Sequence, residues 1–262
     1  MPEAENDLAL LTEAARAAGE VALGMAGPSL RHWDKPGGAG PVSAGDLAVN
    51  DLLEDRLRGA RPDYGWLSEE SPDDPARLGQ ERAFIVDPID GTRCYIDGNK
   101  SWAHALAITR GGEVETAVIY LPRLDLLYHA SRGGGAFLNG RPISPSPQSD
   151  LEHAEILAAR RVMEPGNWRG GHVPHFRRAH RPSLAWRMAL VAEGRFDAML
   201  TLHPAWEWDI AAGDLILREA GALCTDRRGH GLRFNNPVPQ TDGVVAGAAA
   251  LHGQIRTALR EP

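Results

Sequence analysis

Residues 84–92, FIVDPIDGT, constrain this chain more than any other stretch. The apolar run Phe84 to Val86 has the β-branched and aromatic content of a buried strand, and it leads straight into two aspartates, Asp87 and Asp90. Pro88, which lacks an N–H, is expected to stop the strand from extending, and Gly91-Thr92 permits a tight turn into a helix. Both carboxylates then converge at the end of a strand, where α/β folds place their chemistry. Two carboxylates that close repel unless a cation lies between them, and oxygen ligands without His or Cys suit Mg²⁺. Mg²⁺ keeps positions open for water and phosphate, and the backbone N–H groups of Gly91 and Thr92 would face an anion at the helix start. The stretch reads as a metal-and-phosphate cradle.

At 262 residues the chain suits one large domain or two intimately packed halves. Its 43% hydrophobic and 24% charged content belongs to a folded protein rather than a disordered one. With 35 acids against 28 Lys plus Arg there is no basic footprint for a nucleic-acid polymer, although bound cations can reverse the local field for a phosphate ligand. Cys94 and Cys224 lie far apart and match no metal spacing, so reduced thiols in a cytoplasmic protein are expected. The first thirty residues carry Glu3, Glu5, Asp7 and Glu13 and no long apolar core, so neither a signal peptide nor a membrane span is expected.

Leu8, Leu11, Ala15, Ala18 and Ala22 fall at three- and four-residue steps, which predicts an amphipathic helix over 7–26. The Gly/Pro-rich segment 34–45 is expected to be a mobile loop, after which Asp46 caps a helix carrying Leu47, Leu52, Leu53 and Leu57. Residues 71–82 read as a surface excursion, and 103–143 as an antiparallel meander. Beyond a seam at 144–153, strands over 155–159 and 196–201 alternate with helices over 183–194 and 208–221, and a helix over 247–259 closes the chain. This predicts an α/β (α+β) protein. Its N-terminal half, 1–145, carries the antiparallel sheet and most of the candidate ligands, and its C-terminal half, 146–262, contributes Asp209 and the specificity residues.

Three acidic elements follow a strand or open a helix: Glu69 and Glu70 after GWLS, Asp87 and Asp90 after FIV, and Asp209 within EWDIAAGDL. An isolated Asp-Pro is usually a turn and an isolated SEE a solvated helix start. DPIDGT after an apolar strand is more specific, and it resembles the signature of the inositol monophosphatase superfamily. LSEES looks like that family's Glu-Glu element, PVSAGD like its Val-Thr-x-x-Asp element, and WDIAAGDLILREAGA like its second signature, so the resemblance spans nearly the whole chain. It implies a layered αβαβα sandwich and two or three Mg²⁺ ions. Glu69, Asp87 and the Ile89 carbonyl match the ligands of one ion, and Asp87, Asp90 and Asp209 those of a second. Asp46 and Thr92 match the positions that orient an attacking water, with Glu69 sharing its proton network. Two cations in such a site acidify a water, neutralise the leaving oxygen and hold an in-line displacement, so no phosphoenzyme is required. Two departures are visible: Ser43 stands where Thr is common, and Pro182-Ser183 where Gly-Ser is common. Cys94 is expected to be a small buried hydrophobe. His172, His175 and His180 have surface or substrate-edge roles rather than zinc spacing.

Family members act on inositol monophosphates, 3′-phosphoadenosine 5′-phosphate, fructose 1,6-bisphosphate and histidinol phosphate, and a shared cradle cannot choose among them. GPVSAGD with EWDIAAG looks more like the bacterial 3′(2′),5′-bisphosphate nucleotidase branch, which makes the adenosine bisphosphate the expected small phosphorylated metabolite. Gly91, Thr92, Ser183, Arg178, Trp206 and Asp209 are then the expected substrate contacts. Trp186 or Trp206 would stack on the base unless they fill core, and Arg177, Arg178 or Arg181 would meet the second phosphate. The alternatives are an inositol or other sugar monophosphatase, and a catalytically silent Mg²⁺- or phosphate-binding regulator. The resemblance further implies a homodimer and sensitivity to Li⁺.

Overall fold

In the computed structural model, which describes residues 2–38 and 40–260, helix α1 spans Pro2–Met25 and buries Leu11, Ala15, Ala18 and Ala22 along the expected stripe. Part of the glycine-rich segment read as a loop pairs instead as a short antiparallel hairpin, β1 (His32–Asp34) with β2 (Pro41–Ser43). Helix α2 (Ala44–Ala60) is capped by Ser43 rather than Asp46. Ser43 Oγ accepts from the backbone N–H groups of Gly45 and Asp46, and the Asp46 carboxylate accepts from Ser43 N–H at 2.9 Å. Asp46 stands three residues past the cap, so it closes a capping box, and its second oxygen is left for another partner.

The meander lies within a seven-stranded sheet in the order β3 (Gly65–Ser68), β4 (Arg82–Asp90), β5 (Ala103–Arg110), β6 (Glu113–Leu121), β7 (Leu126–Ser131), β8 (Gly135–Leu138) and β9 (Arg141–Pro142). Only β3 and β4 run parallel; the remaining neighbours are antiparallel. Pro88 does not end β4. The strand continues to Asp90 through an irregularity in which Asp87 pairs with Ala105 and Asp90 with Ala103. One extra residue on β4 makes a bulge there, and in a bulge the missing N–H of proline leaves no ladder bond unmade.

Past a short helix α3 (Thr92–Ile96), the second half builds β10 (Glu155–Ala158), β11 (Arg177–Ala179), α4 (Leu184–Ala192), β12 (Ala198–Thr201), β13 (Ala205–Trp206) and α5 (Glu207–Ala220). It ends with β14 (Leu223–Thr225), β15 (Gln240–Thr241), β16 (Val244–Gly247) and α6 (Ala249–Ala258). The mixed second sheet has the order β11-β10-β12-β16-β14. Helices α1 and α2 cover one face of the first sheet, α4 and α5 lie between the two sheets, and α6 covers the far side of the second. The result is the expected five-layer αβαβα sandwich. At the α4–α5 crossing a Cβ on Gly213 would come within 2.6 Å of the Met188 side chain, so the two helices touch through a glycine. No helix among the described residues is long and apolar enough to cross a membrane.

Candidate active site

The bulge of β4 delivers Asp87, Ile89 and Asp90 to a 530 Å³ cavity, into which the turn after β3 brings Glu69, α3 brings Thr92 and the first turn of α5 brings Asp209. One carboxylate oxygen from each of Asp87, Asp90 and Asp209 lies within 4.8 Å of the others. Asp87 is buried, and neither of its carboxylate oxygens has a hydrogen-bond donor among the described residues. Burial, then the charges of Glu69, Asp90 and Asp209, push its pKa well above the carboxylate range. Asp209 is raised likewise, by burial and then by Asp90 and Glu69. Asp90 accepts from Ser183 Oγ at 2.7 Å, Ala185 N at 2.6 Å and Leu184 N at 3.2 Å, yet burial still pushes it up to about 6. A buried carboxylate with no donor and like charges around it is stable only when protonated or facing a cation. The donor set is all oxygen, with carboxylates that are few and close, and it fits Mg²⁺.

Thr92 Oγ1 lies 2.9 Å from Asp46 Oδ1 and 3.2 Å from the Ile89 carbonyl, both of which only accept from it if Asp46 is ionised. With its hydrogen given to either, its lone pairs remain to accept a hydrogen bond from a water in the cavity. The turn that delivers Thr92 needs Gly91: its φ is 101°, and a Cβ there would lie 2.9 Å from the Ser101 carbonyl oxygen. Glu69 lines the cavity but stands outside the cluster of three aspartates, and Lys35 Nζ lies 2.8 Å from Glu69 and 2.7 Å from Glu70. Burial raises Glu70 to about 7 against the opposing hydrogen bond from Lys35. Lys35 follows β1 directly, so the hairpin carries a cation onto the acidic pair.

Sequence reasoning passed over Lys35, and it held Arg187 only as the last residue of the Arg/His-rich segment 168–187 expected to set specificity. Arg187, on α4, lines the cavity and is mostly buried. Its guanidinium donates to the carbonyls of Arg181 and Pro182 and meets His180 Nε2 at 3.0 Å. Its remaining terminal nitrogen, Nη1, makes no hydrogen bond among the described residues. Burial lowers its pKa while Asp90 and Asp209 raise it, so the cation and the acids share one field. The signal was a lone arginine four residues beyond Ser183, one helical turn in, which puts it beside the cap.

The expected substrate residues are dispersed. Gly91 and Thr92 are on the cavity wall, as are Cys94 and His180. Ser183 caps α4 and gives its hydroxyl hydrogen to Asp90, so it positions that carboxylate. Trp186 is buried in the core beneath Arg181. Trp206 is 41% exposed and stacks on Trp208 with ring centroids 4.7 Å apart, held by the pairing of β13 with β15 rather than by the cavity. Arg178, on the edge strand β11, donates to the Ala158 carbonyl at 2.9 Å, and Arg177 pairs with Glu155; neither lines the cavity. His172 and His175 are exposed and also lie outside it.

The sequence model of the inositol monophosphatase family matches residues 3–261. An inositol-1-monophosphatase of Rhizobium meliloti is 35% identical over 240 residues, which cover 86% of this chain and 85% of that protein. A histidinol-phosphatase of Chlorobaculum parvum is 32% identical over 232 residues, covering 85% and 86%. Among solved structures, the extragenic suppressor protein suhB from Bartonella henselae superposes with a TM-score of 0.84 at 29% identity, covering 98% of this chain and 99% of that one.

Proposed function

This chain belongs to the inositol monophosphatase family, whose members are phosphatases, and we propose that it releases phosphate from a small phosphorylated metabolite in a Mg²⁺-dependent reaction with water. The observation that carries this reading is the buried Asp87 carboxylate, without a hydrogen-bond donor among the described residues and within reach of Asp90 and Asp209. Asp87, Asp90 and Asp209 would hold one ion, and Asp87, the Ile89 carbonyl and Glu69 another once Glu69 leaves Lys35. When bound, Mg²⁺ supplies positive charge against the phosphate and the leaving oxygen and acidifies water. Thr92 and Asp46 orient the attacking water: Asp46 takes the Thr92 hydroxyl hydrogen, and the Thr92 oxygen accepts from the water. The α4 N-terminus, through Ser183, Leu184 and Ala185, fixes the Asp90 carboxylate in place. Burial, then Asp97 and Asp90, raise the Cys94 thiol above its ordinary value. A silent regulator would be expected to lose a ligand or Thr92, and every one of these residues is present.

For the ester, the reading carried forward is 3′-phosphoadenosine 5′-phosphate, supported by PVSAGD, by EWDIAAG and by the Arg187 cation on the cavity wall beside the acids. The cationic contact comes from Arg187 rather than Arg178 in this reading. A second reading, inositol monophosphate, is favoured by the name of the Rhizobium relative. Phosphate release measured with Mg²⁺ across adenosine bisphosphate, inositol monophosphate, fructose bisphosphate and histidinol phosphate decides between them. Adenosine bisphosphate turning over no faster than inositol monophosphate overturns the nucleotidase reading, and release from none of the four overturns the phosphatase reading for this chain. A homodimer and inhibition by Li⁺ are further parts of the proposal, checked by light scattering at micromolar protein and by a Li⁺ titration of activity.

A further inference from the structure

The bulge in β4 has a single side chain facing it from β5. Asp87 pairs with Ala105 and Asp90 with Ala103, so Pro88 and Ile89 together stand opposite His104. His104 is fully buried, and its Nδ1 meets the Pro88 carbonyl oxygen. That oxygen can only accept, so Nδ1 carries the hydrogen and Nε2 is the bare nitrogen. Nε2 has no hydrogen-bond partner among the described residues. The ring is packed edge-on against Trp102 at 5.5 Å and tilted against Tyr120 at 6.4 Å, which fixes its orientation. Burial pushes its pKa down to about 4, in keeping with a neutral ring.

A bulge takes a carbonyl out of the ladder, and a buried carbonyl left alone loses its hydration with nothing in return. Here the carbonyl that His104 takes belongs to Pro88, the residue between two that line the cavity, Asp87 and Ile89. The next carbonyl, that of Ile89, has Thr92 Oγ1 3.2 Å from it instead. We propose that His104 is a positioning residue for the metal site: by holding the Pro88 carbonyl it sets the peptide planes that aim the Asp87 carboxylate and the Ile89 carbonyl into the cavity. This inference rests on the metal-dependent reading above.

Two variants separate positioning from packing. His104→Asn places an amide N–H where Nδ1 stands and removes most of the ring, whereas His104→Leu fills similar space without a donor. Mn²⁺ binding, followed by electron paramagnetic resonance of the free ion, and the Mg²⁺-induced rise in melting temperature are measured on both variants and the unmodified protein, with no substrate present. Outer partners of metal ligands typically contribute about 10–100-fold in affinity, and His104→Leu is expected to weaken Mn²⁺ binding by that much. His104→Asn is expected to stay within about threefold of the unmodified protein, well inside that range. Unchanged affinity in His104→Leu overturns the proposal, and so does equal weakening in both variants, which would make ring volume the cause. If His104→Leu fails to fold, His104→Asn decides alone: affinity retained supports the hydrogen bond, affinity lost overturns it. An unmodified protein that binds neither Mn²⁺ nor Mg²⁺ fails earlier, at the metal reading itself, and takes this inference with it.

Discussion

Asp87 is a buried carboxyl whose charged form finds no hydrogen-bond donor among the described residues, so the proposed function and stability oppose one another at this residue. In Asp87→Asn an amide replaces a carboxylate that is desolvated and repelled by its neighbours. The variant, with metal chelated at pH 8, is expected to melt higher than the parent by a few degrees, about 2–4 °C for each kcal/mol relieved in a chain of this size. It should also lose the Mg²⁺-induced rise in melting temperature and nearly all phosphate release. A chelated variant that melts lower than the parent and still responds to Mg²⁺ contradicts the assignment of Asp87 as the central ligand. Arg187 is the complementary case, a cation that shares a cavity with the acids. Arg187→Met removes the charge and keeps much of the length. If it meets a second phosphate, kcat/KM for the adenosine bisphosphate should fall about ten- to a hundredfold, the worth of a charged hydrogen bond, with a smaller change for a monophosphate ester. An equal loss on both substrates would assign Arg187 to bracing the 180–182 loop instead.

At the scale of elements, the site is a meeting of ends. The bulged β4 supplies two aspartates and a carbonyl, the N-terminus of α4 fixes one of them, and the first turn of α5 brings the third. The spacing of α4 and α5 thus enters the geometry of the ligands, and that spacing is set where Gly213 meets Met188. Gly213→Ala forces a methyl group into that contact. Overpacking of this kind costs about 1–3 kcal/mol, and urea denaturation should show a loss of that size. Because the displaced helix also carries Asp209, the Mg²⁺ concentration for half-maximal activity should rise in the same variant. A stability loss with unchanged Mg²⁺ dependence would mean that α5 yields along its length without moving its first turn.

For the whole molecule, the acids make the metal-free fold depend on pH. Burial raises Asp90 to about 6 and Glu70 to about 7, so the folded protein binds these protons more tightly than the unfolded chain does. The stabilisation is present below the unfolded carboxylate values and is lost as pH rises through about 6 to 7, the sense required when a folded pKa is raised. Calorimetry in chelator should show the melting temperature falling from about pH 4 up to about pH 7 and levelling off above, and millimolar Mg²⁺ should flatten the fall by replacing protons as the neutralising charge. A flat profile in chelator would show that the acids are compensated without a cation. Much of this architecture was legible in the linear chain. Three- and four-residue periodicity marked α1, short apolar runs on either side of the Gly111-Gly112 turn marked β5 and β6, and DGT marked the turn into α3, because such signals act over a few residues. The acidic elements were legible too, as residue types at strand and helix ends. Only the tertiary structure decided that β4 runs through Pro88 as a bulge, that His104 answers that bulge from β5, that Lys35 covers Glu69 and Glu70, and that Arg187 lines the cavity while Trp206 and Arg178 do not. Each of these depends on which strand or helix lies across from which, and register across a sheet or contact between distant elements is set by packing the whole core, not by any local preference along the chain.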